Sequence, residues 1–323
     1  MSNNASRPGA LPNRRTAADC AKTKETRINF NVEEIQPVTL TGPNAVTGRD
    51  HMSPYVWRQA DGRLGIMVRA VPALGTPMTD TGVVWYGVSD DGQSFAMTDE
   101  PVIAPGPGPD DIGGIEDPTV LRWHDDIVVY YTGVSADHST GQMLYAVGPS
   151  ATELYKKGVA LESTKTKGNT KEATVERTVE GKWRLFYEYA HEQASWIGMA
   201  IGLGVAGPWE EVPTPLHPRE HSWDNWHLST GPLLLDDPEC PVMFYNGATK
   251  DARWRIGWVA FDRDCLRVID RGIEPLITPP PVDDRTATDI AFAASVITDD
   301  DGTIWLYYSL EDRMLARARL LRS

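Results

Sequence analysis

From about residue 36 onward the chain alternates between short runs rich in Val, Ile, Tyr and Trp and clusters of Gly, Asp, Asn and Pro. Long helical patterns are nearly absent. Apolar runs bounded by turn residues mark strands, so the fold class expected is all-β. The five strongest runs lie at 63–70, 126–133, 182–189, 241–248 and 303–310, each after a short polar turn. Their starts recur roughly every sixty residues, the signature of an internal repeat. A further strand is predicted before each run, at 53–58, 118–123, 172–178, 230–235 and 290–297. A third follows each run, at 82–88, 142–147, 196–201, 254–261 and 315–320, and several third strands lead into a fourth. Three or four antiparallel strands repeated five times are the layout of a five-bladed β-propeller. The repeats favour it over a double β-sandwich and predict one catalytic domain over 36–323. Residues 1–35 are polar and aperiodic, and are expected to be a flexible or loosely docked extension.

Composition adds three points. Eleven Trp and eleven Tyr against six Phe give many rings with a polar edge, suited both to sheets and to stacking on sugar faces. The formal net charge of −14 argues against a nucleic-acid partner, which needs a basic stripe. Cys20, Cys240 and Cys265 are far apart and odd in number, with neither a disulfide framework nor zinc spacing, and no cofactor or metal is expected. Met1 to Lys22 is polar without an apolar leader, and no apolar span is long enough for a membrane. The expectation is a soluble, cytoplasmic protein with no membrane partner. The oligomeric state is left open, a homo-oligomer included.

In a propeller the first strand of each blade lines a central channel, and residues at its start sit where the channel opens. Those starts carry Asp50 with His51 and Ser53, then Glu116 with Asp117, then Lys171 with Glu172, then Trp226 to Thr230, then Asp289. One acidic turn residue is ordinary. Carboxylates at four of five starts, converging on one funnel, raise one another's pKa, which is how an acid stays protonated near neutral pH.

The segment Gly113-Gly-Ile-Glu-Asp-Pro-Thr followed by Ile127-Val-Val-Tyr-Tyr-Thr-Gly resembles the signature of glycoside hydrolase family 130. Weaker pieces occur in family order: Val68-Arg-Ala, Gly87-Val-Ser-Asp-Asp-Gly-Gln-Ser-Phe, Lys171-Glu-Ala, Phe244-Tyr-Asn-Gly and Tyr307-Tyr-Ser-Leu-Glu-Asp. The resemblance implies mannoside phosphorylase or β-mannosidase chemistry on a five-bladed propeller. It also implies that Asp117 is the general acid, delivering its proton to the leaving oxygen directly or through a substrate hydroxyl.

The chain departs from that pattern at Thr119, where the family has Arg, at Tyr187 and Glu188, where phosphorylases carry His-Arg, and at Asn246, where they carry His. Phosphorolysis needs cations to hold a phosphate dianion. A carboxylate at 188 suits instead a base that activates water. The first expectation is therefore an inverting glycoside hydrolase acting on a β-mannoside or related oligosaccharide, with Asp117 as acid, Glu188 as base and Glu172 as the second candidate base. Inversion requires room for one water between acid and base. Arg69, Lys171, Asp289 and Tyr131 are expected to bind sugar hydroxyls, with Glu116, Asn246, Trp226, His227 and Asp50 as further substrate-binding candidates. His227 is read as a structural hydrogen-bonder rather than a base. The alternatives are a phosphorylase that draws its cations from Arg69, Lys171 and Arg253, and a sugar-binding propeller without catalysis.

Overall fold

The structure is a computed structural model, and residues 28–281, 283 and 288–323 are described. Strand-forming runs between Gly, Asp and Pro clusters become antiparallel strands joined by short turns. After the long strand β1 (Phe30–Thr41) the first unit comprises β2 (Asp50–Arg58), β3 (Leu64–Val71), β4 (Val83–Ser89) and β5 (Ser94–Met97). The second comprises β6 (Gly114–Trp123), β7 (Asp126–Val134), β8 (Gly141–Ser150) and β9 (Glu153–Leu161). The third comprises β10 (Gly168–Arg177), β11 (Trp183–His191), β12 (Ala194–Gly202) and β13 (Trp209–Val212). The fourth contains β14 (His227–Ser229), β15 (Leu233–Leu234), β16 (Val242–Met243), β17 (Asn246–Ala248), β18 (Trp254–Ile256), β19 (Val259–Phe261) and β20 (Val268–Arg271). The fifth contains β21 (Ala291–Thr298), β22 (Ile304–Leu310) and β23 (Met314–Arg322).

The N-terminal strand completes the fifth unit. β1 pairs antiparallel with β23 from Phe30 to Val38, then parallel with β5 from Thr39 to Thr41. Residues 30–35, expected in the extension, are thus part of the sheet; residues 1–27 lie outside those described. The ladder supplies the reason, since β23 would otherwise present an open edge.

The fourth unit also differs from expectation. Strands predicted over 230–235, 241–248 and 254–261 are each broken: the first retains only β15, with β14 just ahead of it, the second splits into β16 and β17, and the third into β18 and β19. Pro232 has no N–H to continue a ladder. A Cβ on Gly231 would fall 1.8 Å from the Phe244 carbonyl oxygen, so the backbone there is packed too tightly for any other residue.

Among the described residues the apolar core divides into five clusters, each shared by two consecutive units. Met67 and Val84 meet Ile115 and Val129 between the first and second units. Val128 and Tyr130 meet Leu185 and Ala200 between the second and third, and Phe186 and Met199 meet Leu228 and Phe261 between the third and fourth. Phe244 and Ile256 meet Leu306 and Tyr308 between the fourth and fifth, and Val68 and Trp85 meet Trp305 and Tyr307 between the fifth and first. The units therefore close into a ring, and their first strands face one another across its middle. Among the described residues no helix is long and apolar enough to cross a membrane.

Candidate active site

In the first three units the first strand starts earlier than the apolar pattern indicates, and four of the five first strands carry a bulge. The register slips between Met52 and Tyr55, Glu116 and Thr119, Lys171 and Thr174, and Ala293 and Ser295. At three of these bulges a non-glycine residue takes a left-handed backbone: Ser53 at φ 52°, Asp117 at φ 51° and Glu172 at φ 52°. Such a conformation costs about 1–3 kcal/mol per residue and persists where the surroundings impose it. A bulge re-aims a side chain. Here Ser53, Asp117, Glu172, Thr230 and Ala294, one from each unit, line a central gap of about 10 Å³, too small for more than about one water.

Above that gap lies a hollow of about 250 Å³ whose walls include Ser53, Arg69, Asp117, Lys171, Glu172, Glu188, Trp254, Phe292 and Asp312. Asp117 is 5% exposed. Its Oδ1 accepts the Ser53 hydroxyl at 2.7 Å and faces Arg69 Nη1 at 3.4 Å. Arg69 is itself anchored, donating to the Thr81 carbonyl and to Glu116 Oε1 at 2.6 Å. Lys171 and Glu188 are opposite one another on β10 and β11, with Nζ 3.6 Å from Oε1. Because side chains alternate along β11, Glu188 faces the hollow while Tyr187 points into the core between the second and third units.

Burial disfavours ionisation of Asp117, but Arg69, Lys171 and the Ser53 hydroxyl outweigh it and hold the carboxyl below its ordinary value. Glu172 goes the other way. Burial and the charge of Asp117 push it well above the ordinary range, and the two carboxyl groups lie within hydrogen-bonding reach of each other. A carboxyl pushed up in this way is poorly suited to take a proton from water, which counts against Glu172 as the base. Lys171 is pushed up by Glu188 first of all and stays charged. Asp312 is raised by burial and by Asp117, against the pull of Arg69.

A second hollow of about 240 Å³ adjoins the first and shares Lys171 and Glu188 with it. Its walls are mainly hydroxyls, from Thr81, Thr132, Ser139, Thr140 and Ser195, with the Asn169 amide, Glu116 and the His138 imidazole. The Thr81 and Thr132 hydroxyls are enclosed, with no hydrogen-bond partner among the described residues.

Of the residues expected at the site, Asp117, Glu172, Glu188, Arg69 and Lys171 meet in the first hollow and Glu116 lines the second. The rest are elsewhere. Tyr131 is buried between the first and second units, its hydroxyl 3.4 Å from Asp111. Asn246 is fully buried, and its amide bonds the backbone of Thr230 and Ala293, tying the fourth unit to the fifth. Asp289 pairs with Arg255 at 2.8 Å, while its carbonyl accepts the Trp254 N–H. Asp50 accepts the Leu74 N–H and fixes the loop after β3. Trp226 lies outside both hollows, bonded to the Gln193 carbonyl with Lys250 over its ring. His227 Nδ1 accepts the Ser195 N–H at 3.0 Å, a structural bond. Thr119 donates to the Ala173 carbonyl below the hollow, and Arg253 pairs with Asp251 on the surface.

Three wall residues escaped the sequence reading. Trp254 and Phe292 form an edge-to-face pair 5.3 Å apart on one wall. Asp312 sits in the turn between β22 and β23, where Glu311 and Asp312 both take left-handed backbones, φ 57° and 54°. Such a turn ordinarily carries Asn-Gly. Glu-Asp in its place, at the end of a strong strand pair, was the available signal.

The family model described as β-1,4-mannooligosaccharide phosphorylase matches residues 58–320. Over 198 residues the chain is 22% identical to a β-1,2-mannobiose phosphorylase of Thermoanaerobacter sp. (strain X514); the match covers 61% of this chain and 62% of the length of that curated relative. The β-1,2-mannobiose phosphorylase of Listeria innocua, solved with β-1,2-mannobiose, superposes with a TM-score of 0.69 at 16% identity, covering 89% of this chain and 90% of that one. A structure reported for glycoside hydrolases of the same family, which target β-1,2 mannosidic linkages in Candida mannan, gives a TM-score of 0.70 at 20% identity, with 84% of each chain covered. At these identities the likeness to the solved structures is one of fold.

Proposed function

Because the chain belongs to glycoside hydrolase family 130, we propose that it breaks a β-mannosidic bond in a mannobiose or short mannooligosaccharide, with water as acceptor. The five units closed into a ring are read as the blades of a propeller, and the paired hollows as the mouth of its channel. The substrate spans both hollows. One sugar ring lies against Trp254 and Phe292, where an aromatic face suits the apolar face of a pyranose. The next ring lies among the hydroxyls of the second hollow. Asp117 gives a proton to the oxygen between the two rings, a contribution of about 10²–10⁴-fold in general acid catalysis. Glu188, held by Lys171 at the junction of the hollows, takes a proton from the attacking water.

The observation that carries the choice of water is charge. The first hollow has two cations, Arg69 and Lys171, and both are already engaged by carboxylates, Arg69 by Glu116 and Asp117 and Lys171 by Glu188. A phosphate dianion entering there meets Glu188 in a partly desolvated site where screening is weak. Water meets no such repulsion.

Phosphorolysis is the second reading, and the comparisons favour it: the family model and the curated relative both carry phosphorylase descriptions. Arg69 and Lys171 would be its cations. Incubating β-1,2- and β-1,4-linked mannobiose with and without inorganic phosphate separates the two. Hydrolysis gives mannose alone at a rate indifferent to phosphate, and Glu188→Gln loses most of it, with partial rescue by azide as a small nucleophile. Mannose 1-phosphate among the products, or dependence on added phosphate, overturns water as acceptor. Binding without any product leaves a sugar-binding propeller.

A further inference from the structure

We propose that Glu172 holds the proton that Asp117 delivers, the two carboxyl groups acting as one acid that carries a single proton. The inference rests on the reading of Asp117 as donor to the leaving oxygen and goes beyond it by assigning where that proton is kept.

Geometry carries the argument. Asp117 and Glu172 occupy equivalent bulges on neighbouring first strands, both with left-handed backbones, and both line the central gap and the hollow, with their carboxyl groups within hydrogen-bonding reach. Two carboxylates in contact inside a desolvated site cannot both be ionised, so the pair keeps a proton. On Asp117, Oδ1 is taken by two donors, the Ser53 hydroxyl and Arg69 Nη1, and both favour the anion. The proton therefore lies on the Glu172 side, against the remaining oxygen, Oδ2. Glu172 has Lys171 as its main stabilising cation, with Arg69 contributing less, against the charges of Asp117 and Glu188. Arg69 is paired with Asp117 and Glu116, and Asp312 adds a further carboxyl to the same hollow. The pair is also clamped from both sides: Thr230 of the fourth unit donates its hydroxyl to the Glu172 carbonyl, and Ser53 of the first unit holds the Asp117 carboxylate.

The protons balance. At rest Glu172 is the acid and Asp117 the anion. The proton passes along their hydrogen bond to Asp117 Oδ2. As the glycosidic C–O bond breaks, its electron pair goes to the leaving oxygen, which takes the proton from Asp117 and departs as an alcohol. Glu188 meanwhile holds the proton from the attacking water. Glu188 then returns its proton to solvent, the pair takes one up, and the resting state is restored.

Such a pair titrates as a unit, with apparent values belonging to neither residue alone. The variant that tests it is Glu172→Gln, compared with wild type and Asp117→Asn on mannobiose and on a nitrophenyl β-mannoside. Removing the stored proton should cut mannobiose turnover by about 10²–10⁴-fold while costing the nitrophenyl substrate, which needs no protonation, less than about tenfold. The alkaline limb of kcat/KM should move to lower pH in Glu172→Gln, because Asp117 alone is held below its ordinary value. Ser53→Ala, which removes one of the two donors on Oδ1, should move that limb upward. An infrared difference spectrum at neutral pH, wild type minus Glu172→Gln, should contain the carbonyl stretch of a protonated carboxyl. That spectrum reads the proton directly, so its outcome is independent of whether mannosides prove to be the substrates. An unchanged alkaline limb in Glu172→Gln, or a difference spectrum without the carboxyl band, overturns the proposal. Where Glu172→Gln does not fold, the upward shift in Ser53→Ala carries the test, and its absence overturns the proposal equally.

Discussion

Asn246 illustrates how one side chain can be committed to structure. Its Nδ2 donates to the Thr230 carbonyl at 2.7 Å and the Ala293 carbonyl at 3.2 Å, and its Oδ1 accepts the Ala293 N–H at 2.7 Å. Deleting the amide strands buried backbone groups of two units, each costing about 1–3 kcal/mol when unsatisfied. Asn246→Ala should lower the melting temperature clearly while leaving KM for the mannoside within about twofold, as thermal denaturation beside steady-state kinetics would record; a raised KM at unchanged stability would return Asn246 to the substrate. Tyr131 is a similar case. Its apolar neighbours Val129 and Ile127 on β7 already placed it in a strand, but only packing decided that its ring lies between the first and second units. Asp117 was legible because a short, specific string surrounds it. Its pairing with Ser53 and Glu172 was not, since those residues lie 64 and 55 positions away along the chain.

At the scale of elements, bulges and turns place the chemistry. Pro118 directly after Asp117 was read as the start of a strand, whereas β6 runs from Gly114 and the proline marks the slip in its ladder. Periodicity misses such slips because one inserted residue shifts the alternation without ending the strand. The turn between β22 and β23 stores strain for the same purpose. Asp312 takes a left-handed backbone that costs an L-residue roughly 1–2 kcal/mol and that glycine adopts freely. Asp312→Gly should therefore hold or raise the melting temperature, by up to about 1 kcal/mol in stability after the greater chain entropy of glycine is subtracted. The same change removes a carboxyl from the first hollow, so KM for the mannoside should rise severalfold. A loss of stability with KM unchanged would mean that Asp312 serves the turn alone.

Over the whole molecule, stability depends on closing the ring. β1 gives β23 its outer partner and joins β5 in parallel, so it ties the fifth unit to the first. Phe30 also packs edge-to-face on Phe244, carrying the closure to the fourth unit. Removing residues 28–41 should expose two strand edges and open the cluster around Phe30, lowering the melting temperature and promoting self-association. Calorimetry and size-exclusion chromatography would record both effects, and a monomer of unchanged stability would show that β1 is dispensable. The amino-acid order by itself determined the β class, the fivefold repeat and the family signature at Asp117. Those properties reside in local alternation, turn residues and contiguous strings. Only the tertiary structure decided which acids share the hollow, that Glu172 and Asp117 meet, and that Trp254, Phe292 and Asp312 line it with them. Those relations join residues from different units, and their charges and burial exist only once the ring has closed around them.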